Sequence, residues 1–138
     1  TNRHQLQQSI DAGAKFAISP GLTKDLLQAG NESSIALIPG VASISELMDA
    51  ADLGYDHLKF FPAEASGGVN AIKSIGGPFP DIKFCPTGGI NLNNVRDYLA
   101  LSNVACCGGS WLVPNNIVEN KDWSAITKLA NEAVAFVK

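Results

Sequence analysis

A lysine stands at the centre of an apolar run in HLKFFPAEASGGV, residues 57–69. An unpaired ammonium is costly to bury. Lys59 therefore reaches water, pairs with a carboxylate, or is a reactive amine. Side chains alternate along a strand, so His57, Lys59 and Phe61 share one face and Leu58 and Phe60 the other. If Leu58 and Phe60 pack on covering helices, Lys59 points inward, where desolvation disfavours its charged form. A neutral amine among aromatic rings is the nucleophile that forms a Schiff base with a ketone. Spacing alone leaves all three readings open.

Two paired-glycine loops follow: Pro86-Thr87-Gly88-Gly89-Ile90-Asn91 and Gly108-Gly109-Ser110. Either pair alone is a tight turn as readily as a site. Set at the ends of consecutive strands, they match the phosphate site formed after the last two strands of parallel barrels, where backbone N–H groups approach an anion. Glu64 is the one carboxylate close behind Lys59 and reads as a loop or helix-start charge before it reads as a base. His4 and His57 have no partners at ligand spacing, so no metal is expected. Lys73 and Lys83 read as solvated, Arg96 as a helix-face charge able to touch a neighbouring subunit, and Trp111 and Trp123 as packing residues. Ser110 lacks the G-x-S-x-G setting of a hydrolase nucleophile.

The elements that must hold these residues are legible from punctuation. Apolar runs at 15–19, 35–38, 57–61, 82–85 and 104–107 read as strands; the first four end in Pro20, Pro39, Pro62 and Pro86, the fifth in Gly108-Gly109. Helical patterns lie between and around them. Residues 43–53 open with Ser43 and Glu46 at capping-box spacing, and 23–29 open with Thr23 and stop before Gly30. Helices are also expected at 3–12, 67–75, 91–101 and 123–137, the last with Ile126, Leu129, Ala130, Ala133, Val134 and Val137 on one stripe. Alternating strands and helices with short connections mean βα units and a parallel sheet. An open doubly wound sheet and part of a (β/α)8 barrel both fit; the chemistry-bearing residues at the strands' C-terminal ends favour the barrel. At about 22 residues per unit, eight units need on the order of 180 residues. The 138 residues are thus expected to be the last five βα units of an incomplete barrel, with further strands before Thr1.

Composition narrows the class. Hydrophobic residues are 46% and charged residues 17%, which suits a folded chain. The net charge of −3 and the scattered basic residues argue against nucleic acid as a partner. No run approaches the roughly 18 apolar residues of a membrane helix, and TNRHQLQQS has no signal-peptide character. Cys85, Cys106 and Cys107 read as reduced, buried small hydrophobes of a cytoplasmic protein.

FFPAEASGG, FCPTGGI with NVRDYLAL, and CGGSWLVP, together with FAISPGLT and LIPGV, resemble bacterial 2-keto-3-deoxy-6-phosphogluconate (KDPG) aldolase, also called 2-keto-4-hydroxyglutarate aldolase, along the whole chain. The resemblance implies a (β/α)8 barrel lyase of the Entner–Doudoroff pathway, a homotrimer without metal or cofactor. It would cleave KDPG to pyruvate and glyceraldehyde 3-phosphate, and 4-hydroxy-2-oxoglutarate to pyruvate and glyoxylate. It implies Lys59 as the Schiff-base residue, Thr87 on the substrate's carboxylate and keto end, and Pro20 and Phe61 lining the pyruvate pocket. Gly88, Gly89, Gly108, Gly109 and Ser110 would bind phosphate. The strands would be the fourth to eighth of the barrel. The family's acid/base glutamate and carboxylate-binding arginine, on its second strand, match no position here. Another phosphate-binding barrel enzyme, or an inactive half-barrel that binds phosphate passively, are the alternatives.

Overall fold

The computed structural model describes residues 1–137, and the side-chain surroundings of residues 1–136. Several helices begin where a short polar side chain satisfies a free N–H, as helix starts require. Asn2 caps α1 (Arg3–Asp11), accepting from the Gln5 N–H at 2.9 Å. Thr23 caps α2 (Lys24–Glu32), accepting from Leu26 N–H at 3.2 Å. Ser43 and Glu46 form the expected capping box of α3 (Ile44–Asp52). The others are α4 (Gly68–Ile75), α5 (Val95–Leu99), α6 (Asn115–Glu119) and α7 (Trp123–Val137), with a 3-10 turn at Ser110–Leu112.

The strands are β1 (Phe16–Ile18), β2 (Ala36–Ile38), β3 (Gly40–Val41), β4 (His57–Phe60) and β5 (Lys83–Pro86). β2 and β3 flank Pro39. β2 pairs with β1 on one side, and β3 pairs with β4 on the other. Proline has no N–H to give to a ladder, but the Pro39 carbonyl accepts from Lys59 N–H at 2.9 Å. β4 pairs with β5, and every pairing is parallel. β1 lies beside β2, and β3, β4 and β5 lie side by side in a second sheet, both in chain order with no reversal. That is the progression of a barrel wall, whereas a doubly wound sheet reverses at a switch point.

The core fills the space between the sheet and its helices. Leu58, Phe60 and Phe84 are buried there with Leu47, Ala50, Ile72, Ile75 and Tyr98, and the Phe60 and Phe84 rings meet edge to face at 6.0 Å. A second cluster joins Leu6, Leu26, Ala29 and Leu37 across α1, α2 and β2. No described helix is long and apolar enough to cross a membrane.

Several expectations need correction. α2 does not stop before Gly30 but runs on to Glu32. Gly30 is small because a Cβ there would collide with the Tyr55 hydroxyl and the Leu37 side chain. The expected fifth strand is reduced to two bridges, Phe84 to Val104 and Thr87 to Gly108. Four residue steps on one side face three on the other, so an extra residue breaks the ladder as a bulge does. The helix expected at 91–101 starts only at Val95, because the Asn91 N–H bonds to Asn94 Oδ1 and both Asn side chains turn onto the Gly89 carbonyl. The stripe of α7 is only half covered: Ile126, Leu129 and Ala133 are half-buried, whereas Ala130 and Val134 are exposed. The side chain of Val137 lies outside the described residues. Trp123 is 60% exposed rather than packed, and Cys106 is exposed rather than buried.

Candidate active site

The alternation of β4 places its side chains as the sequence demands. Leu58 and Phe60 face the helices at 0% and 2% exposure, and Lys59 takes the opposite face, half-buried. The Lys59 Nζ lies 4.6 Å from the centroid of the Phe61 ring, within cation–π reach. Among the described residues no carboxylate forms an ion pair with it. Lys59 is in register with Gly40 on one side and Cys85 on the other. Gly40 presses on the backbone of Pro20, where any Cβ would strike the Pro20 carbonyl. Pro20, Gly40, Lys59 and Cys85 therefore follow one another around the wall.

One step further toward the C-terminal ends, Phe61 packs under the first glycine loop, its ring 3.3 Å from where a Gly88 Cβ would stand. Thr87 N–H donates to the Phe60 carbonyl at 3.0 Å, and the Thr87 hydroxyl approaches the Cys85 carbonyl at 3.4 Å. The same hydroxyl lies 2.8 Å from the Cβ position of Gly108, so the two glycine loops meet at Thr87. Gly88 and Gly89 adopt φ of +97° and +81°, which side chains other than glycine resist. Among the described residues the N–H groups of Gly89, Ile90, Gly109 and Ser110 have no acceptor. Free backbone N–H groups in glycine loops suit an anion. Gly109 is small for another reason: the Trp111 ring lies against it.

The structure thus gathers Lys59, Phe61, Thr87, Gly88 and Gly108 at the C-terminal ends of β4 and β5, with Pro20 just beyond the end of β1. Ser110 is exposed at the start of the 3-10 turn. His4 and His57 stay apart from this group: His4 lies on α1, and His57 pairs with its neighbour Asp56 at 2.8 Å. Lys83 is not free in water; its Nζ donates to the Ser102 carbonyl at 3.0 Å. Burial, and then neighbouring Cys85 and Cys106, push the Cys107 thiol up to about 12. Sequence reading missed Tyr98, which is fully buried and donates its hydroxyl to Glu64 Oε1. Its only signal was its place on the apolar face of NVRDYLAL.

Comparison with known proteins gives a consistent result. The family profile described as aldolase, KDPG and KHG aldolase, matches residues 1–129. The 2-dehydro-3-deoxy-phosphogluconate aldolase of Pseudoalteromonas atlantica is 66% identical over 98% of this chain and 63% of its own length. The KHG/KDPG aldolase of Escherichia coli K12 is 57% identical over 99% of this chain and 64% of its own. A crystal structure of KDPG aldolase from Legionella pneumophila, with pyruvate captured as a covalent carbinolamine intermediate, superposes with a TM-score of 0.90 at 57% identity, over 93% of this chain and 62% of that one. The chain spans a little under two thirds of the length of these relatives.

Proposed function

The chain belongs to the KDPG and KHG aldolase family, and on that footing we propose that it carries the Schiff-base half of a metal-independent carbon–carbon lyase. Its substrates are KDPG, split to pyruvate and glyceraldehyde 3-phosphate, and 4-hydroxy-2-oxoglutarate, split to pyruvate and glyoxylate. The segments β1 to β5 and 104–108 are the fourth to eighth strands of a (β/α)8 barrel, and the enzyme works as a cytoplasmic homotrimer. The observation that supports this reading best is Lys59 itself, half-buried, over the Phe61 ring, without a carboxylate partner among the described residues and in register between Gly40 and Cys85.

The nitrogen of Lys59 attacks the keto carbon of the substrate, and the carbinolamine loses water to give an iminium. The iminium is an electron sink. As the C4 hydroxyl loses its proton, the C3–C4 bond breaks and its electron pair moves into an enamine. The aldehyde leaves. Protonation at C3 and hydrolysis of the iminium release pyruvate and restore the amine. Thr87 holds the carboxylate end, Pro20 and Phe61 wall the pyruvyl methylene, and Gly88, Gly89, Gly108, Gly109 and Ser110 receive the phosphate. The proton transfers fall to the family's glutamate, a residue type with no matching position here; general acid–base help of that sort is worth about 10²–10⁴ in rate.

The test is chemical trapping. Incubation with pyruvate followed by borohydride is expected to add a reduced pyruvyl group to Lys59, located by peptide mass spectrometry, and Lys59→Met is expected to abolish it. Label on Lys73 or Lys83 instead, or equal label in the variant, overturns the assignment.

A further inference from the structure

Glu64 lies outside the chemistry just described, yet it is the most connected side chain around the first glycine loop. Its backbone N–H donates to the Gly88 carbonyl at 3.1 Å, beside a matching bond from Ala63 N–H to the Thr87 carbonyl at 2.8 Å. Its side chain passes directly beneath the loop: the Glu64 Cγ stands 2.5 Å from where a Gly89 Cβ would be. Beyond that, Oε1 meets the Tyr98 hydroxyl in the core. Gly68, the first residue of α4, closes over both groups; its Cβ position is 3.3 Å from Glu64 Oε1 and 3.4 Å from the Tyr98 hydroxyl. One side chain thus ties the end of β4, the loop after β5, and α5 into a single fixture.

We propose that Glu64 and Tyr98 are a positioning pair that fixes the Gly88–Gly89 loop in the shape that receives the substrate's phosphate. The inference rests on the reading of that loop as a phosphate site. Two physical demands converge on it. A loop with two successive positive-φ glycines is entropically loose unless something holds it. A carboxylate under an anion site also repels the anion unless it is drawn aside, and the Tyr98 hydroxyl holds Oε1 toward the core. Tyr98 is fully buried, with Glu64 as its hydroxyl partner, so loss of either side leaves a buried polar group or a released carboxylate.

The experiment measures two quantities on the same protein: affinity for inorganic phosphate by calorimetry, and the rate of borohydride-trapped labelling of Lys59 by pyruvate, which carries no phosphate. In Tyr98→Phe and Glu64→Ala the ratio of phosphate affinity to trapping rate is expected to fall about tenfold, the scale of one lost charge-assisted hydrogen bond. Glu64→Gln keeps an acceptor for the hydroxyl and is expected to recover most of that loss. Equal falls in affinity and trapping would mean a general structural role and overturn the proposal, as would unchanged phosphate affinity in both variants. Glu64→Ala guards against a folding failure of the Tyr98 variant, because Glu64 is exposed. If the unmodified protein labels on Lys59 but binds no phosphate, the phosphate reading of the loop falls and takes this inference with it. If it binds phosphate and the variants bind equally well, the inference alone falls.

Discussion

Cys106 shows how far a single residue can depart from its sequence surroundings. VACC is an apolar run, and burial was the natural reading. The extra residue between Val104 and Gly108 breaks the strand alternation there, and Cys106 emerges exposed. Partial desolvation, and then neighbouring Cys85, still push its thiol up to about 11. The thiolate is the nucleophile, so alkylation of Cys106 by iodoacetamide is expected to be slow at pH 8. Its rate should climb about tenfold per pH unit until near 11. Quantitative mass spectrometry of the Cys106 peptide checks this; a fast rate that is flat above pH 8 would contradict it. Lys59 is the opposite case. That it lies opposite Leu58 and Phe60 followed from period-two alternation; that Leu58 and Phe60 take the helix side is a matter of packing. What alternation could not supply was its surroundings, because the Phe61 ring and the register with Gly40 and Cys85 depend on packing across strands. Glu64 was harder still: its partner Tyr98 lies 34 residues on, at a separation no local pattern reports.

At the scale of elements, legibility follows from whether the signal is local. Caps are local, and Thr23, Ser43 and Glu46 mark their helices correctly. Proline punctuation is local too, and four strands end at, or within two residues of, the prolines that announce them. Gly30 misleads because a glycine can mean a helix end or a close approach of neighbouring elements, and only the Tyr55 and Leu37 side chains decide between the two. The 3-10 turn at Ser110–Leu112 and α6 gave no period long enough to register. The last helix was plain in sequence, but its attachment was not. Arg96, expected on an open helix face, donates from Nε and Nη2 to the Phe136 carbonyl at 3.2 and 2.8 Å, and its guanidinium stacks 3.9 Å from the Phe136 ring. Because the stripe of α7 is only half covered, this clamp carries an unusual share of the docking. Arg96→Ala is expected to raise amide exchange along 123–136 by about fivefold to tenfold, the scale of one or two hydrogen bonds to a charged group. Exchange in β4 and β5 should stay as it was. Hydrogen–deuterium exchange mass spectrometry reads both; equal loss of protection everywhere would show that Arg96 supports the core instead.

At the scale of the whole molecule, the strands share one organising property: every pairing joins neighbours in chain order, β1 with β2, β3 with β4 and β4 with β5. The registers join Phe16 to Ala36, Gly40 to Lys59, Leu58 to Phe84 and Phe84 to Val104. The buried members of the second cluster, Leu6, Leu26, Ala29 and Leu37, are all present once residue 37 exists, and Tyr55, which packs on them, still precedes β4. Short sequence separation lowers the entropic cost of closing each contact. Nascent chains arrested at successive lengths are therefore expected to show protease protection of residues 3–38 before residue 83 has been added. Protection that appears only after β5 is complete would contradict this. A wall paired in this way can be laid down on the ribosome from its amino-terminal side, each new unit settling against one already in place, so the direction of translation would also be the direction of folding.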